Sequence, residues 1–280
     1  MAVVLALASA VVYGASDFLG GLASRRASVF GVVALSQLAG LVALLVLLPW
    51  LGGPVTATDL WAGGAAGLAG AAGLLVFFRA LAGGVMSVVA PVTAVTAAAV
   101  PVLVGMLGGE RIGPWTGAGI GLALVAVVLV SAESGLSALR SARPASLVPA
   151  LIAGAAFGLF FVLLDRTSAD AGLTPLVAAR MASVTLVVAV ALGTGAALRA
   201  GRAALPLVVV SGVGDMTANA LFLLATQVGG RLAITGVLAS LYPVTTVLLA
   251  QLVLRERLVP AQLTGLAAAA AAVVLITLPA

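Results

Sequence analysis

The chain has 280 residues, of which 63% are hydrophobic and 8% charged, whereas soluble domains carry roughly 25% charged residues. A soluble particle of this size cannot keep so many apolar groups from water, but a membrane protein can, because its outside is as apolar as its core. It contains no cysteine and no histidine, which excludes disulfides, thiolate or imidazole metal sites and imidazole catalysis, and its +5 charge comes from scattered arginines rather than a nucleic-acid-binding stripe.

A helical membrane span needs about 20 predominantly apolar residues. Reading between charged and Gly/Pro breaks predicts spans over 3–23, 29–49, 60–82, 85–107 and 113–132, then 147–164, 174–197, 205–228, 232–254 and 260–279. The first lacks a basic leader and carries Asp17, so it reads as a retained span rather than a signal peptide. Ser9, Tyr13 and Asp17 recur every four residues and share one helical face, with Ser16 and Gly20 beside them. Tyr13 offers a ring face for a cation and a hydroxyl to orient it.

The third span holds Gly63 and Gly67, and the fifth Gly117 and Gly121, at the small-xxx-small spacing that lets helix backbones approach. Arg79 closes the third span at a depth about 5 Å from Asp17, by helical rise. It either pairs with Asp17 or snorkels to the interface, and both readings stand. The longest polar stretch, Glu133 to Ser146 with Arg140, Arg143 and Pro144, divides the chain. A first unit over 1–135 and a second over 147–280 flank a linker over 136–146.

In the second unit, Arg180 sits about two turns into span seven. It either holds a substrate carboxylate or neutralises Asp215, from which it is separated by about 9 Å in depth. Ser211, Asp215 and Asn219 form a four-residue stripe in span eight. A charge at the bilayer centre costs about 2.5–3.5 kcal/mol on insertion scales, so the stripe faces protein or a water-filled cavity. It binds substrate or a proton, or it clamps helices by hydrogen bonds. Tyr242 and Thr246, one turn apart in span nine, line the opposite wall or are satisfied by backbone carbonyls. The run Ala267 to Ala272 is a further close-packing surface, and Glu110 and Glu256 close their helices against neighbouring arginines or helix N-termini.

The two units repeat. Sliding the sequence by 146 places Gly83-Gly84 on Gly229-Gly230, Glu110-Arg111 on Glu256-Arg257, Pro114 on Pro260 and Gly119 on Gly265. Because five is odd, the second copy enters the membrane upside down. The expected fold is therefore an all-α integral membrane protein, ten transmembrane helices arranged as two inverted five-helix repeats, which is a transporter signature. The 1–2, 5–6, 7–8 and 9–10 connections hold Arg25, Arg26, Arg140, Arg143, Arg199, Arg202, Arg255 and Arg257, against Arg111, Arg166 and Arg231 in the alternate set. That asymmetry places both termini outside the cytoplasmic membrane.

Two halves, each with a Gly-Gly turn, an apolar helix, Glu-Arg, then Pro and Gly, resemble the EamA-type drug/metabolite transporters. The run from Tyr242-Pro243 through Arg255-Glu256-Arg257 to Gly265 fits best; the first half has Ala97 where Pro243 aligns, and Pro91 and Pro101 instead. The resemblance implies export or exchange of amino acids, metabolites or small drugs through a cavity lined by the first, third and fourth helices of each half.

The expected function is secondary transport of a small polar or amphipathic metabolite, such as an amino acid, by alternating access about Gly83-Gly84 and Gly229-Gly230. Asp215 or Asp17 is the expected proton-coupling group, with no other cofactor. The expected partners are a small-molecule substrate and the lipid bilayer, not nucleic acid, with a homodimer left open. Rival readings are a polyspecific organic-cation pump and, from another class, a non-transporting receptor or scaffold. The sequence offers no phosphate loop and no nucleophile–base set, so neither ATP-driven pumping nor an enzyme is expected.

Overall fold

The computed structural model describes residues 1–83, 86–131 and 144–278. The 136–146 linker, apart from the first residues of the helix that follows it, lies outside the described residues, as does Gly84. Among the described residues the chain is helical, with one isolated β-bridge between Gly52 and Gly172. The first unit comprises α1 (Ala2–Ser24), α2 (Val29–Leu51), α3 (Ala57–Gly83), α4 (Met86–Leu107) and α5 (Pro114–Ser131). The second comprises α6 (Pro144–Asp165), α7 (Thr174–Thr194), α8 (Leu205–Gln227), α9 (Leu232–Ala239), α10 (Tyr242–Leu254) and α11 (Pro260–Thr277). Ten stretches are long and apolar enough to span a membrane, α9 and α10 together forming one of them.

Proline and glycine set the boundaries. Proline opens α5, α6 and α11 and stands second in α7, α8 and α10, positions where its missing N–H has no intrahelical partner to lose. Span seven stops at Thr194 rather than 197 because Gly195 turns left-handed at φ +67° and ends the helix there. Gly229, at φ +88°, closes α8 in the same way, and the Gly230 N–H returns to the Ala225 carbonyl at 3.0 Å.

The ninth span departs from the expected continuous helix. Pro243 has no N–H and its ring crowds the carbonyl four residues back, which belongs to Ala239, the last residue of α9. The chain steps through Ser240 and Leu241, with Ser240 Oγ donating to the Gly236 carbonyl at 2.7 Å, and restarts as α10 at Tyr242. At the aligned position in α4 stands Ala97, and that helix runs through unbroken despite Pro91 and Pro101.

Helix contacts are close to unchanged when the two units are exchanged. α1 packs on α8 as α6 packs on α3; α1 meets the α9–α10 span as α6 meets α4; α2 lies on α8 as α7 lies on α3. α5 packs against α11, where Gly119 faces Ile276 and Gly265 faces Val130, each partner 146 residues from its counterpart. Ser183 donates to Gln37 Oε1 at 2.6 Å, again across 146 residues, joining α7 to α2. Gly63 and Gly67 let α3 reach the Pro175 and Ala179 carbonyls of α7, where a Cβ would collide with backbone. Gly117 and Gly121 do not play the expected role: both are exposed, and it is Gly119 that meets α11, where Ala269 and Ala272 are buried.

Candidate functional site

The two faces of α8 position the site. Val209, Val210, Val213 and Thr217 are exposed on one side, and the Thr217 hydroxyl is folded back onto the Val213 carbonyl at 2.8 Å. Ser211, Asp215 and Asn219 occupy the opposite side, turned toward α1 and α7. A carboxylate there is screened from lipid by the whole width of its own helix.

Asp215 is held by Arg180 of α7, whose Nη2 donates to Oδ2 at 2.6 Å. The Arg180 side chain is 10% exposed and that of Asp215 36%, so the arginine is packed while the acid borders open space. Ser183, one turn from Arg180, donates to the Arg180 carbonyl at 3.1 Å as well as to Gln37, fixing that turn of α7 against α2.

The network continues through Asn219. Its Nδ2 donates to the Asp215 carbonyl at 2.7 Å and, more distantly, to Asp215 Oδ2 at 3.4 Å. Its Oδ1 accepts from the Tyr13 hydroxyl at 2.7 Å. Four side chains from α1, α7 and α8 thus form one chain: Tyr13, Asn219, Asp215, Arg180. The Tyr13 ring lies 6.3 Å from Phe161 of α6, edge to face, and 6.3 Å from Tyr242 at the start of α10. Phe161 in turn contacts Phe222 at 4.5 Å between centroids.

Asp17, one turn beyond Tyr13 on the same helical face, is exposed. Its direction on α1 is about a third of a turn from exposed Val4 and Val11, at 100° per residue, on the side that carries Tyr13. Among the described residues it has no salt-bridge partner. Arg180 and Asp215 neutralise each other, which leaves Asp17 as the uncompensated charge of the cluster.

The remaining expected site residues sit apart from this network. Ser211 is buried and donates to the Ser16 carbonyl at 2.8 Å, and Thr246 donates to the Gly14 carbonyl at 3.0 Å. Both are joints between helices, and Gly14 is itself pressed against the Tyr242 carbonyl. Ser9 makes a similar joint to the Ala218 carbonyl at 2.8 Å. Arg79 is exposed and forms no ion pair with Asp17. Of the two helix-closing acids, Glu110 accepts the Leu232 and Ala233 N–H groups at 2.7 and 3.1 Å and so caps α9, while Glu256 meets Arg25 at 4.0 Å.

Sequence reasoning passed over Phe161 and Phe222, which lie in apolar runs that look like ordinary span filling. The aromatic density of span six, with Phe157, Phe160 and Phe161 within five residues, was the signal available. Gln37 and Ser183 were also legible, as two polar residues related by the repeat distance.

The cluster offers a carboxylate one turn from Tyr13, two neighbouring tyrosine rings and an ion pair with a half-open acid. That set can hold an ammonium group or a proton at Asp17 and a polar group near Arg180. Among the described residues there is no group of acids able to hold a metal ion.

Comparison with known proteins identifies the chain. The EamA-like transporter family matches residues 1–132 and 145–278. No curated protein matches by sequence. Among solved structures 28 chains match. One of these, described only as a crystal structure of a protein, superposes with a TM-score of 0.79 at 19% identity, covering 99% of this chain and 96% of its own. At that identity the likeness speaks for the fold alone. The chain is a multi-pass membrane protein and belongs to the EamA-like transporter family.

Proposed function

We propose that this EamA-family chain is a secondary transporter of the cytoplasmic membrane that exports or exchanges a small polar or amphipathic metabolite, of which an amino acid is the type. The two units are read as inverted repeats that rock against each other with Gly83-Gly84 and Gly229-Gly230 as hinges, exposing one central site to each side in turn. The observation that carries this reading is the Tyr13–Asn219–Asp215–Arg180 chain with Asp17 one turn beyond Tyr13, formed by helices of both units. Contacts that survive exchange of the two units support the inverted arrangement.

Within the site the two carboxylates have different work. Asp215 stays with Arg180 and presents a polar edge; Asp17 exchanges its proton and binds the positive group of the substrate. The arginine asymmetry of the connections supports extracytoplasmic termini.

The test is flux in proteoliposomes under an imposed pH gradient. Asp17→Asn abolishes gradient-driven accumulation and weakens exchange of substrate for substrate, because the same carboxylate binds the positive group. Asp215→Asn, which strands Arg180, abolishes both. Gradient-driven flux equal to the parent in both variants contradicts the reading.

A second reading is favoured by one observation: Asp17 is uncompensated among the described residues. A site with one net negative charge and two tyrosines suits an organic cation with an apolar body. Thermal stabilisation of the purified protein by hydrophobic amines, and not by amino acids, selects this reading over the first.

A further inference from the structure

The site is closed on the side toward which the C-terminal end of α8 runs. From Asp215 toward the C-terminal end of α8, the site-facing residues are sealed: Asn219 is 4% exposed, and Phe222 and Leu223 are fully buried. On α1 in the same direction, Ser9, Ala10 and Ala6 are buried. Toward the C-terminal end of α1, Asp17 and Gly21 are exposed, and a Cβ added at Gly21 meets nothing within 4 Å. Phe161 and Phe222, packed at a tilt against each other beyond the Tyr13 ring, form the floor of the closed side.

Past that floor, the connections of the two units are joined by hydrogen bonds. Asp59 at the start of α3 is buried and accepts four of them: from the Thr56 N–H at 2.8 Å and hydroxyl at 2.7 Å, and from the Ser168 N–H at 2.7 Å and hydroxyl at 3.0 Å. The first pair organises its own helix start, while the second reaches into the α6–α7 connection of the other unit. Beside it, the Thr174 hydroxyl donates to the Gly53 carbonyl at 3.1 Å, and the Leu173 N–H donates to Leu51 at 2.9 Å. Gln227, at the end of α8, donates to the Gly172 carbonyl at 2.9 Å. At the opposite face, the described cross-unit ion pair is the 4.0 Å contact of Arg25 with Glu256, both well exposed.

We propose that the joint between segments 51–59 and 166–174 is the latch that holds the transport site shut on this face, with Asp59 as its central bolt. This rests on the transport reading above. In a cycle that opens the site to both sides, the two connections part, the Asp59–Ser168 and Thr174–Gly53 bonds exchange for water, and the Phe161–Phe222 floor separates. An ionised acceptor with four donors makes the latch strong, and its position at the aqueous boundary lets water replace each bond as it breaks.

The chain's lack of cysteine allows a direct test by single-site labelling. With Asn219→Cys as reporter, an impermeant maleimide added from the latch face labels the parent slowly. Asp59→Ala raises that rate about tenfold, since each shift of 1.4 kcal/mol between closed and open states is a factor of ten. Thr174→Val, which leaves the α3 start intact, raises it less. With Gly21→Cys as reporter, labelling from the other face is unchanged or falls. In an Asp59→Cys/Ser168→Cys pair, oxidation stops flux and reduction restores it.

Unchanged Asn219→Cys labelling in both latch variants, with the oxidised pair still transporting, overturns the latch and leaves the transport reading intact. Labelling that shifts as described while the parent moves no substrate supports the latch as a moving joint and overturns transport instead. Size-exclusion profiles of each variant separate opening from unfolding.

Discussion

The two units share a frame but not a chemistry. At the frame positions they match: Gly119 and Gly265 press α5 and α11 together, and Gln37 and Ser183 bond to each other across the repeat distance. At the site they differ. Sliding Ser211, Asp215 and Asn219 back by 146 gives Ala65, Ala69 and Gly73, and Arg180 falls on Ala34. Duplication therefore preserved the backbone contacts that any such bundle needs, while the polar residues accumulated on α1, α7 and α8. Of the matching first-unit positions, Gly73 lets α3 lie tightly on α6 at Phe157, and Gly67 nearby does the same on α7 at Ala179. One unit supplies most of the charge and the other a close-fitting wall.

This contrast is broken most severely at the ion pair. Arg180→Ala leaves Asp215 facing protein without its partner, and should cost about 2 kcal/mol of stability, discounted from the fully buried case because the acid is partly open. Flux should fall at least about a hundredfold. Combining it with Asp215→Asn should restore most of the stability but none of the flux, as judged by thermal unfolding and proteoliposome assays. A stability loss that the double variant does not relieve would mean that the pair is not the coupled unit described.

The frame gives the next effect. Gly119→Leu and Gly265→Leu both overpack the α5–α11 seam and should each cost about 1–3 kcal/mol. Because the seam is shared, the two losses should be similar, and transport per folded molecule should be retained. A large loss at one position only would show that the seam is not symmetric. The smallest effect is expected at Thr246→Val, where a single hydroxyl joint to Gly14 is removed, worth about 0.6 kcal/mol among membrane helices, with substrate affinity unchanged. A marked affinity change there would place Thr246 in the site rather than the frame.

Much of this frame was legible before any coordinates. Charged and Gly/Pro breaks located all ten spans, because in lipid a helix must satisfy its own backbone and so the apolar runs report its length. The stripe on α8 was legible for the same reason: Asp215 in mid-span needs company, and four-residue spacing names Ser211 and Asn219 as its neighbours. What the spacing did not convey was which hydroxyls face the cavity and which bond a neighbouring backbone. Ser211, Thr246 and Ser9 carry the same chemistry as a site residue but are used as joints, a choice made by the helix beside them. The break before Tyr242 was readable from Pro243 alone, yet the apolar run masked it. Asp59 lay just outside the expected third span and drew no attention, yet burial and four donors make it part of the joint between units. Aromatic residues such as Phe161 gave the weakest signal, since lipid and cavity floor accept the same side chain.

The central claim is that water, not lipid, reaches Asp17 between the two units. Reactivity of single cysteines toward a water-soluble, impermeant maleimide tests it, comparing Asp17→Cys with Val11→Cys, both exposed on α1 but on different faces. The account predicts rapid modification at position 17 and almost none at position 11. Rapid reaction at 11 with silence at 17 would put the carboxylate against acyl chains and remove the site.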